Sequence, residues 1–575
     1  MRELLKVHLD RDGDLAGIVN CWPLDISQGT ESPYGLGVFA ILNLVNALSE
    51  LDTVTPHLHV VTANAQPVLG TELLAVDQSA IWGLGRVLGH QEFPEYWGSL
   101  VDIEDTDERD ATAARICHHL LDDDAEDQVA IRGAETYVPR LRPCTGLTRA
   151  FPTKLTVNAT YVVTGGTGAL GRSVATYLAE HGARHIALLS RRELPPRSRW
   201  SQLGADHPHF AAIETIRRVE RLGAEVVCAS VDVTDADQVR DWLSQHGRAG
   251  GRPIRGIVHT AGSVDDRLLV NMTEAQFTSV MAPKVTGTRV LHDALDGHDL
   301  EFFVMFGSAG SVIASPGQGN YAAANAFLDA FAHRRRARGL PALTIGWGPW
   351  SVGMVEELKL EKIYAHRGIE LITPTAGARI LDRLINQKTP AVVAISADWG
   401  RARQIGMGGR LPPMFADLGA DETSPNSTDS DSSVLDALAG VAESDRLGVV
   451  AEHVQRMVAT VFDCAVTDVE PDDTLDDIGM DSLMAMEFRV RINAMFGIDL
   501  PVLEILRGVS VNSLAARILA EVEPTRADAA ALTEPRAEDS ATGDDLDRLM
   551  ADLSEADLRA LLAELEGPAG GAAAP

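Results

Sequence analysis

The chain has 575 residues, with 82 acidic against 50 basic side chains and a formal net charge of −32. That balance lacks the basic footprint that sequence-independent DNA or RNA binding needs, and it disfavours anionic membrane surfaces. With 45% hydrophobic and 23% charged residues the chain is globular rather than disordered, and its length suits about three to five domains.

Met1-Arg2-Glu3 does not open a signal peptide, and no run of roughly 18 apolar residues follows it. The five cysteines (Cys21, Cys117, Cys144, Cys228, Cys464) have no C-x-x-C spacing, so neither a disulfide framework nor a zinc or other metal site is expected. A cytoplasmic protein is expected. Residues 1–150 read as an α/β unit, with a buried strand at 58–62 and a glycine-bearing helical connection at 81–86. Residues 151–405 form a second unit, with strands predicted at 160–164, 186–189, 226–231, 254–259, 302–306 and 343–347. Alternation of strands and helices predicts a doubly wound, Rossmann-like parallel sheet.

The first of those strands runs into Thr164-Gly165-Gly166-Thr167-Gly168-Ala169-Leu170-Gly171. Gly166, Gly168 and Gly171 make G-x-G-x-x-G ahead of a helical pattern, which lets backbone N–H groups approach a pyrophosphate at the positive helix end. About 20 residues on, where an NAD site would place an acid, stand Ser190-Arg191-Arg192. Arginine offers a bidentate partner to a 2′-phosphate, which favours NADPH; a solvated strand end is the plainer alternative. Asp232-Val233 suits an adenine-edge contact, and His259-Thr260-Ala261-Gly262 a backbone turn beside the nicotinamide ribose.

Hydride delivery to a ketone builds negative charge on oxygen, which calls for a proton donor and a second hydrogen bond. Ser308 follows a strand and Tyr321 lies thirteen residues later, in the same unit as the glycine loop. With Lys284 and Asn325, this set resembles the short-chain dehydrogenase/reductase superfamily, and more closely the ketoreductase domains of modular type I polyketide synthases. Ordinary members of the superfamily carry lysine four residues after the tyrosine. These ketoreductases have asparagine there and lysine on an earlier helix, as Asn325 and Lys284 stand here.

The resemblance implies further expectations. Residues 1–150 would be the non-catalytic structural subdomain, its nucleotide-loop position (Thr62-Ala63-Asn64-Ala65-Gln66) lacking the glycine motif and any cofactor. The family has sequence upstream of this start, which implies a fragment or a split polypeptide. Val264-Asp265-Asp266, Ile313 in place of a tryptophan, Pro316 and Asn320 match B-type ketoreductases, apart from Val for Leu at the first position. A D-configured (3R) 3-hydroxyacyl thioester is implied. Trp347 and Trp350 would line the substrate side or fill the core.

Composition then shifts. From 417 to 433 there are five acidic residues and no basic ones, so 406–433 is expected to be a flexible linker. Residues 434–525 form a small helical unit in which Gly479-Met480-Asp481-Ser482-Leu483 resembles an acyl carrier protein, a four-helix bundle. The resemblance makes Ser482 the attachment point of 4′-phosphopantetheine, at a helix N-terminus that favours its phosphate. The tail, 526–575, holds 12 acids and 4 bases. Leu546, Leu549, Met550 and Leu553, then Leu558, Leu561, Leu562 and Leu565, read as two amphipathic helices, for docking to another polypeptide or for self-packing.

The function implied is NADPH-dependent reduction of a 3-ketoacyl thioester carried on Ser482. Its partners would be an upstream ketosynthase and acyltransferase, a downstream polypeptide reached through the tail, and a phosphopantetheinyl transferase. Two rivals are a thioester reductase releasing an aldehyde and a catalytically silent scaffold presenting carrier and docking helices. Thioester reductases normally follow their carrier, and an intact tetrad argues against the scaffold.

Overall fold

The structure, a computed structural model, describes residues 3, 5, 15–26, 33–50, 56–70, 74–105, 108–121, 126–145, 147, 153–400 except 358, 412–418 and, with short gaps, 441–521. The predicted tail helices and most of the linker lie outside these residues.

Two sheets organise the reductase region. The first has the order β1 (Gly17–Asn20), β2 (His57–Ala63), β3 (Trp97–Ile103), β4 (Gln128–Arg132), β5 (Glu135–Tyr137), parallel except for the final hairpin strand. The second comprises β6 (Thr160–Thr164), β7 (His185–Ser190), β8 (Glu225–Ser230), β9 (Ile254–His259), β10 (Phe302–Ser308), β11 (Leu343–Trp347) and β13 (Ala391–Ala394); β12 (Ile369–Glu370) pairs elsewhere. Its order, β13-β11-β10-β9-β6-β7-β8, is parallel throughout. All five residues of β6 are buried, as a central strand covered on both faces requires. Strand order reverses between β6 and β9, so the ligand crevice of such a sheet opens at their carboxyl ends.

The two units share a core. Leu84, Leu88 and Phe93 of the first unit belong to one apolar cluster with Phe277, Phe327 and Phe331 of the second. The short connection expected at 81–86 is part of the helix Val76–Val87, which continues into one wider helical turn, Leu88–Glu92. It lies against the helix Gly319–Ala337 that carries Tyr321. Gly83 allows the close approach: a Cβ there would run into the Ala322 carbonyl. Buried Arg86 crosses the junction, donating from Nε to Gln128 Oε1 at 2.8 Å and from Nη1 to the Ser311 carbonyl at 2.7 Å.

The linker expectation needs correcting over 412–418. Met414, Phe415 and Leu418 are buried in a cluster with Leu141, Ile313 and Trp399, and the Leu141 amide donates to the Met414 carbonyl at 2.7 Å. Three apolar side chains within a polar stretch suffice to anchor it. Beyond it, the helices Glu443–Val461 and Ser482–Phe496 and helical residues 511–516 build the small helical unit. Its core includes Val454, Val458, Leu475, Phe488, Ile492 and Leu514.

Candidate active site

At the carboxyl end of β6 the glycine turn forms a cradle free of side chains. Gly165 adopts φ +66°, and a Cβ there would lie 2.9 Å from Thr260 Oγ1 and 3.0 Å from the Ala261 amide. A Cβ at Gly166 would come within 2.8 Å of Leu188 Cβ, and one at Gly171 would collide with the Gly165 carbonyl. The cradle opens onto the N-terminus of the helix Ala169–Glu180, where Leu170 packs beneath. Thr167 Oγ1 donates to Ser190 Oγ at 2.9 Å, which also accepts the Arg192 amide at 3.2 Å, fixing the turn that leaves Arg191 and Arg192 exposed. These features fit a dinucleotide bearing a 2′-phosphate.

Two predicted contacts have less freedom than their sequence positions suggest. Asp232 Oδ1 accepts both the Thr234 amide, at 2.9 Å, and Thr234 Oγ1, at 2.8 Å, so this oxygen closes a turn beside buried Val233. His259 is buried between Thr164 Oγ1 at 2.6 Å and the Pro283 carbonyl at 3.0 Å. A carbonyl only accepts, so Nε2 carries the proton and Nδ1 accepts from Thr164. Burial, reinforced by the Lys284 cation, lowers the imidazole pKa to about 3. His259 is a neutral strut whose side chain is engaged within the protein.

The four predicted catalytic residues converge. Lys284 sits on the long helix Glu274–Ala294, whose start is fixed by a Thr273–Gln276 capping box. Its buried ammonium donates to the Phe306 carbonyl at 2.8 Å and lies 5.4 Å from the Tyr321 ring centroid. Burial lowers its pKa to about 8, with Asp329 opposing. Ser308 ends β10, its Oγ accepting the Gly310 amide at 3.1 Å. Tyr321 stands in the first turn of its helix, and burial pushes its hydroxyl up to about 12. Asp266 pushes the same way, while Ser308 and Asn325 pull it down. Fully buried Asn325 donates from Nδ2 to the Tyr321 carbonyl at 2.7 Å, and its Oδ1 has no partner among the described residues.

The loop after β9 is tied to the start of that helix. Asn320 Nδ2 donates to the Asp265 carbonyl at 2.9 Å while its Oδ1 accepts the Tyr321 amide at 2.7 Å. Gln318 Nε2 donates to Asp266 Oδ2 at 2.9 Å, and burial raises the Asp266 carboxyl above its usual range. Val264 is half-buried beside them, and Pro316 is buried. Ile313 packs with Met414, Phe415 and Leu418, a partner its sequence position did not suggest. Trp347 and Trp350 are core residues: Trp347 lies 5.2 Å from the Phe306 ring and 5.0 Å from Trp350.

Sequence reasoning missed four neighbours. Asp329, whose carboxylate accepts Ser311 Oγ at 2.9 Å, follows Tyr321 and Asn325 at helical spacing, and that periodicity could have found it. Tyr364 lies close enough to add to the rise at Tyr321, and its own hydroxyl is raised by burial and, to a lesser degree, by Asp266. Arg86 and Glu92 come from the other unit, where no spacing rule connects them to the site. In the helical unit, Ser482 opens its helix after Gly479 at φ +92°; its side chain and residue 481 lie outside the described residues. No helix among the described residues is long and apolar enough to cross a membrane.

Known proteins agree with this geometry. Sequence models of the KR domain match residues 159–352, of the phosphopantetheine attachment site 452–518, and of the Rossmann fold domain of polyketide synthase extender module SpnB 28–141. Polyketide synthase GfsA of Streptomyces halstedii is 35% identical over 505 residues, covering 85% of this chain and 6% of that protein. The 6-methylsalicylic acid synthase of Aspergillus niger is 32% identical over 468 residues, covering 79% of this chain and 24% of its own length. The chain thus spans a quarter or less of these relatives. An A1-type ketoreductase structure superposes with a TM-score of 0.65 at 31% identity, over 72% of this chain and 85% of that one. The first ketoreductase of the tylosin polyketide synthase gives 0.62 at 29% identity, with the same coverage. The chain belongs to the ketoreductase–acyl carrier regions of modular polyketide synthases, a family of NADPH-dependent reductases of the short-chain dehydrogenase/reductase type with phosphopantetheine-bearing carriers.

Proposed function

We propose that this chain reduces a 3-ketoacyl thioester held on its own Ser482 to the 3-hydroxyacyl thioester, using NADPH. Residues 165–171 would hold the pyrophosphate and Arg191 with Arg192 the 2′-phosphate; bound there, the cofactor supplies the hydride. The remaining work belongs to side chains of the chain itself. Tyr321 gives its hydroxyl proton to the oxygen that becomes the alcohol, and Ser308 donates a hydrogen bond to the same oxygen. The Lys284 ammonium, 5.4 Å from the ring centroid, favours the phenolate that proton transfer leaves behind. Asn325 holds the backbone at Tyr321 and offers a buried acceptor, Oδ1, to the path that reprotonates it. The observation that carries this reading is Lys284 and Tyr321 meeting from two different helices in the family's rearranged order.

The B-type outcome, a D (3R) alcohol, rests on the 264–266 loop. Asn320 and Gln318 hold Asp265 and Asp266 against the start of the Tyr321 helix, and Val264 beside them would meet the thioester arm as it enters. Solved ketoreductases described as A1-type and as C2-type share this fold, so the fold alone does not assign the type, and on this reading the loop residues would. The carrier tethers the acyl chain at high effective concentration, with elongation by an upstream ketosynthase and acyltransferase and Ser482 primed by a phosphopantetheinyl transferase. Through the tail the chain would dock a downstream polypeptide. The test is NADPH absorbance decay with a 3-ketoacyl thioester surrogate, followed by chiral analysis of the product. Turnover yielding the 3R alcohol is expected. No turnover overturns the reductase reading, and a 3S product overturns the B-type assignment alone.

A further inference from the structure

The loops around Tyr321 are held from outside their own unit. Glu92 ends the wide helical turn Leu88–Glu92 of the first unit and is 1% exposed. Its Oε1 accepts the Gly317 amide at 2.9 Å and its Oε2 the Leu269 amide at 2.7 Å. Gly317 lies in the approach to Tyr321, at φ +78°, and Leu269 opens the short helical turn that closes the Asp265–Asp266 loop. The two loops also pair directly, the Arg267 amide donating to the Gly317 carbonyl at 2.8 Å. One carboxylate therefore satisfies a buried N–H in each of the two segments that bound the substrate side of the site. A carboxylate suits this place because both of its oxygens accept. Burial raises the Glu92 pKa to about 7, and the two amides are what oppose it.

We propose that Glu92 is a positioning residue of the reductase: it fixes the 264–269 loop against the Tyr321 helix, and so sets how tightly the thioester arm is gripped and which face of the ketone is presented. This deepens the ketoreductase reading and rests on it. Neither the motif of the catalytic unit nor the tetrad contains it, and it acts without touching substrate.

The test uses the full chain carrying Glu92→Gln, which keeps the volume but turns an NH2 group toward one of the two amide donors. With NADPH and a 3-ketoacyl thioester surrogate, KM is expected to rise about tenfold, with kcat falling less. The minor 3-hydroxy enantiomer is expected to increase, while NADPH affinity stays within about twofold of wild type. Glu92→Asp, which retains two acceptor oxygens, is expected to recover part of the enantiomer ratio. Unchanged KM and enantiomer ratio overturn the proposal. So does a uniform loss of NADPH binding, kcat and thermal stability, the mark of a merely structural group. Should Glu92→Gln fail to fold, amide hydrogen exchange on the wild-type chain decides. The Leu269 and Gly317 amides must be more protected than their loop neighbours, and exchange at the rate of exposed loops overturns the proposal. Exchange is independent of turnover, so an inactive wild-type chain would sink the reductase reading without touching the Glu92 contacts.

Discussion

The turns that follow β2 and β6 both leave a buried parallel strand, yet they treat their backbone amides in opposite ways. After β6 the glycines keep the amide surface clear of side chains. After β2 the buried Asp102 carboxylate accepts the Ala65 amide at 2.8 Å, the Gln66 amide at 3.1 Å and Thr62 Oγ1 at 2.7 Å. Arg132 closes the other side at 2.6 Å from Asp102. An internal carboxylate thus occupies amides of the kind that the glycine turn of the second unit leaves clear. One unit has a cradle; the other has filled its turn from within and serves as a brace, with Gly83, Arg86 and Glu92 on the catalytic unit.

This comparison can be broken in several places. Asp102→Ala should have the largest effect, lowering stability by about 3–5 kcal/mol because it takes the carboxylate from beside the buried Arg132 charge and the acceptor from the Ala65 and Gln66 amides and the Thr62 hydroxyl, as thermal or denaturant unfolding will read. Tyr321→Phe should lower turnover about a hundredfold or more while leaving NADPH binding in place, a split that nucleotide titration beside the rate assay will show. Gly171→Ala, which fills the cradle, should do the reverse at low cofactor, raising the apparent KM for NADPH at least about tenfold. Replacing Arg191 and Arg192 together by alanine should reduce the preference for NADPH over NADH by about tenfold, measured as a ratio of kcat/KM values.

The last expected effect is absent at neutral pH and appears only in acid. The folded-state pKa of His259 lies at about 3 against an ordinary 6.5, so between those values the unfolded chain binds the proton and the folded chain does not. Stability therefore falls as pH drops through that window, and is unaffected by this group above it. His259→Asn should flatten the acid limb of stability against pH by up to about one proton.

Much of the catalytic site was legible because its signals are local. The strand-to-glycine turn is a contiguous string, and Ser308, Tyr321 and Asn325 sit on adjacent elements whose spacing survives any change elsewhere. Lys284 was legible only through the family's rearrangement, since a lone lysine on a helix says nothing. What could not be read was long-range. Glu92 reaches Gly317 across 225 residues of sequence, and Arg86 reaches Ser311 across the same separation. The burial of Met414 and Phe415 depends on a surface built by Leu141, Ile313 and Trp399, which no local pattern announces. Trp347 and Trp350 were ambiguous for a different reason: an aromatic at a strand end packs inward or outward with the same local sequence, and here their tilted packing against Phe306 decides it.

The most direct measurement is mass spectrometry of the phosphopantetheinylated full chain, loaded with a 3-ketoacyl group on Ser482 and given NADPH. The Ser482 peptide should gain the mass of two hydrogens in the wild-type protein and stay unchanged over the same interval in Tyr321→Phe. An acyl group that keeps its mass in the wild-type chain, or that is reduced as fast in Tyr321→Phe, would contradict the account.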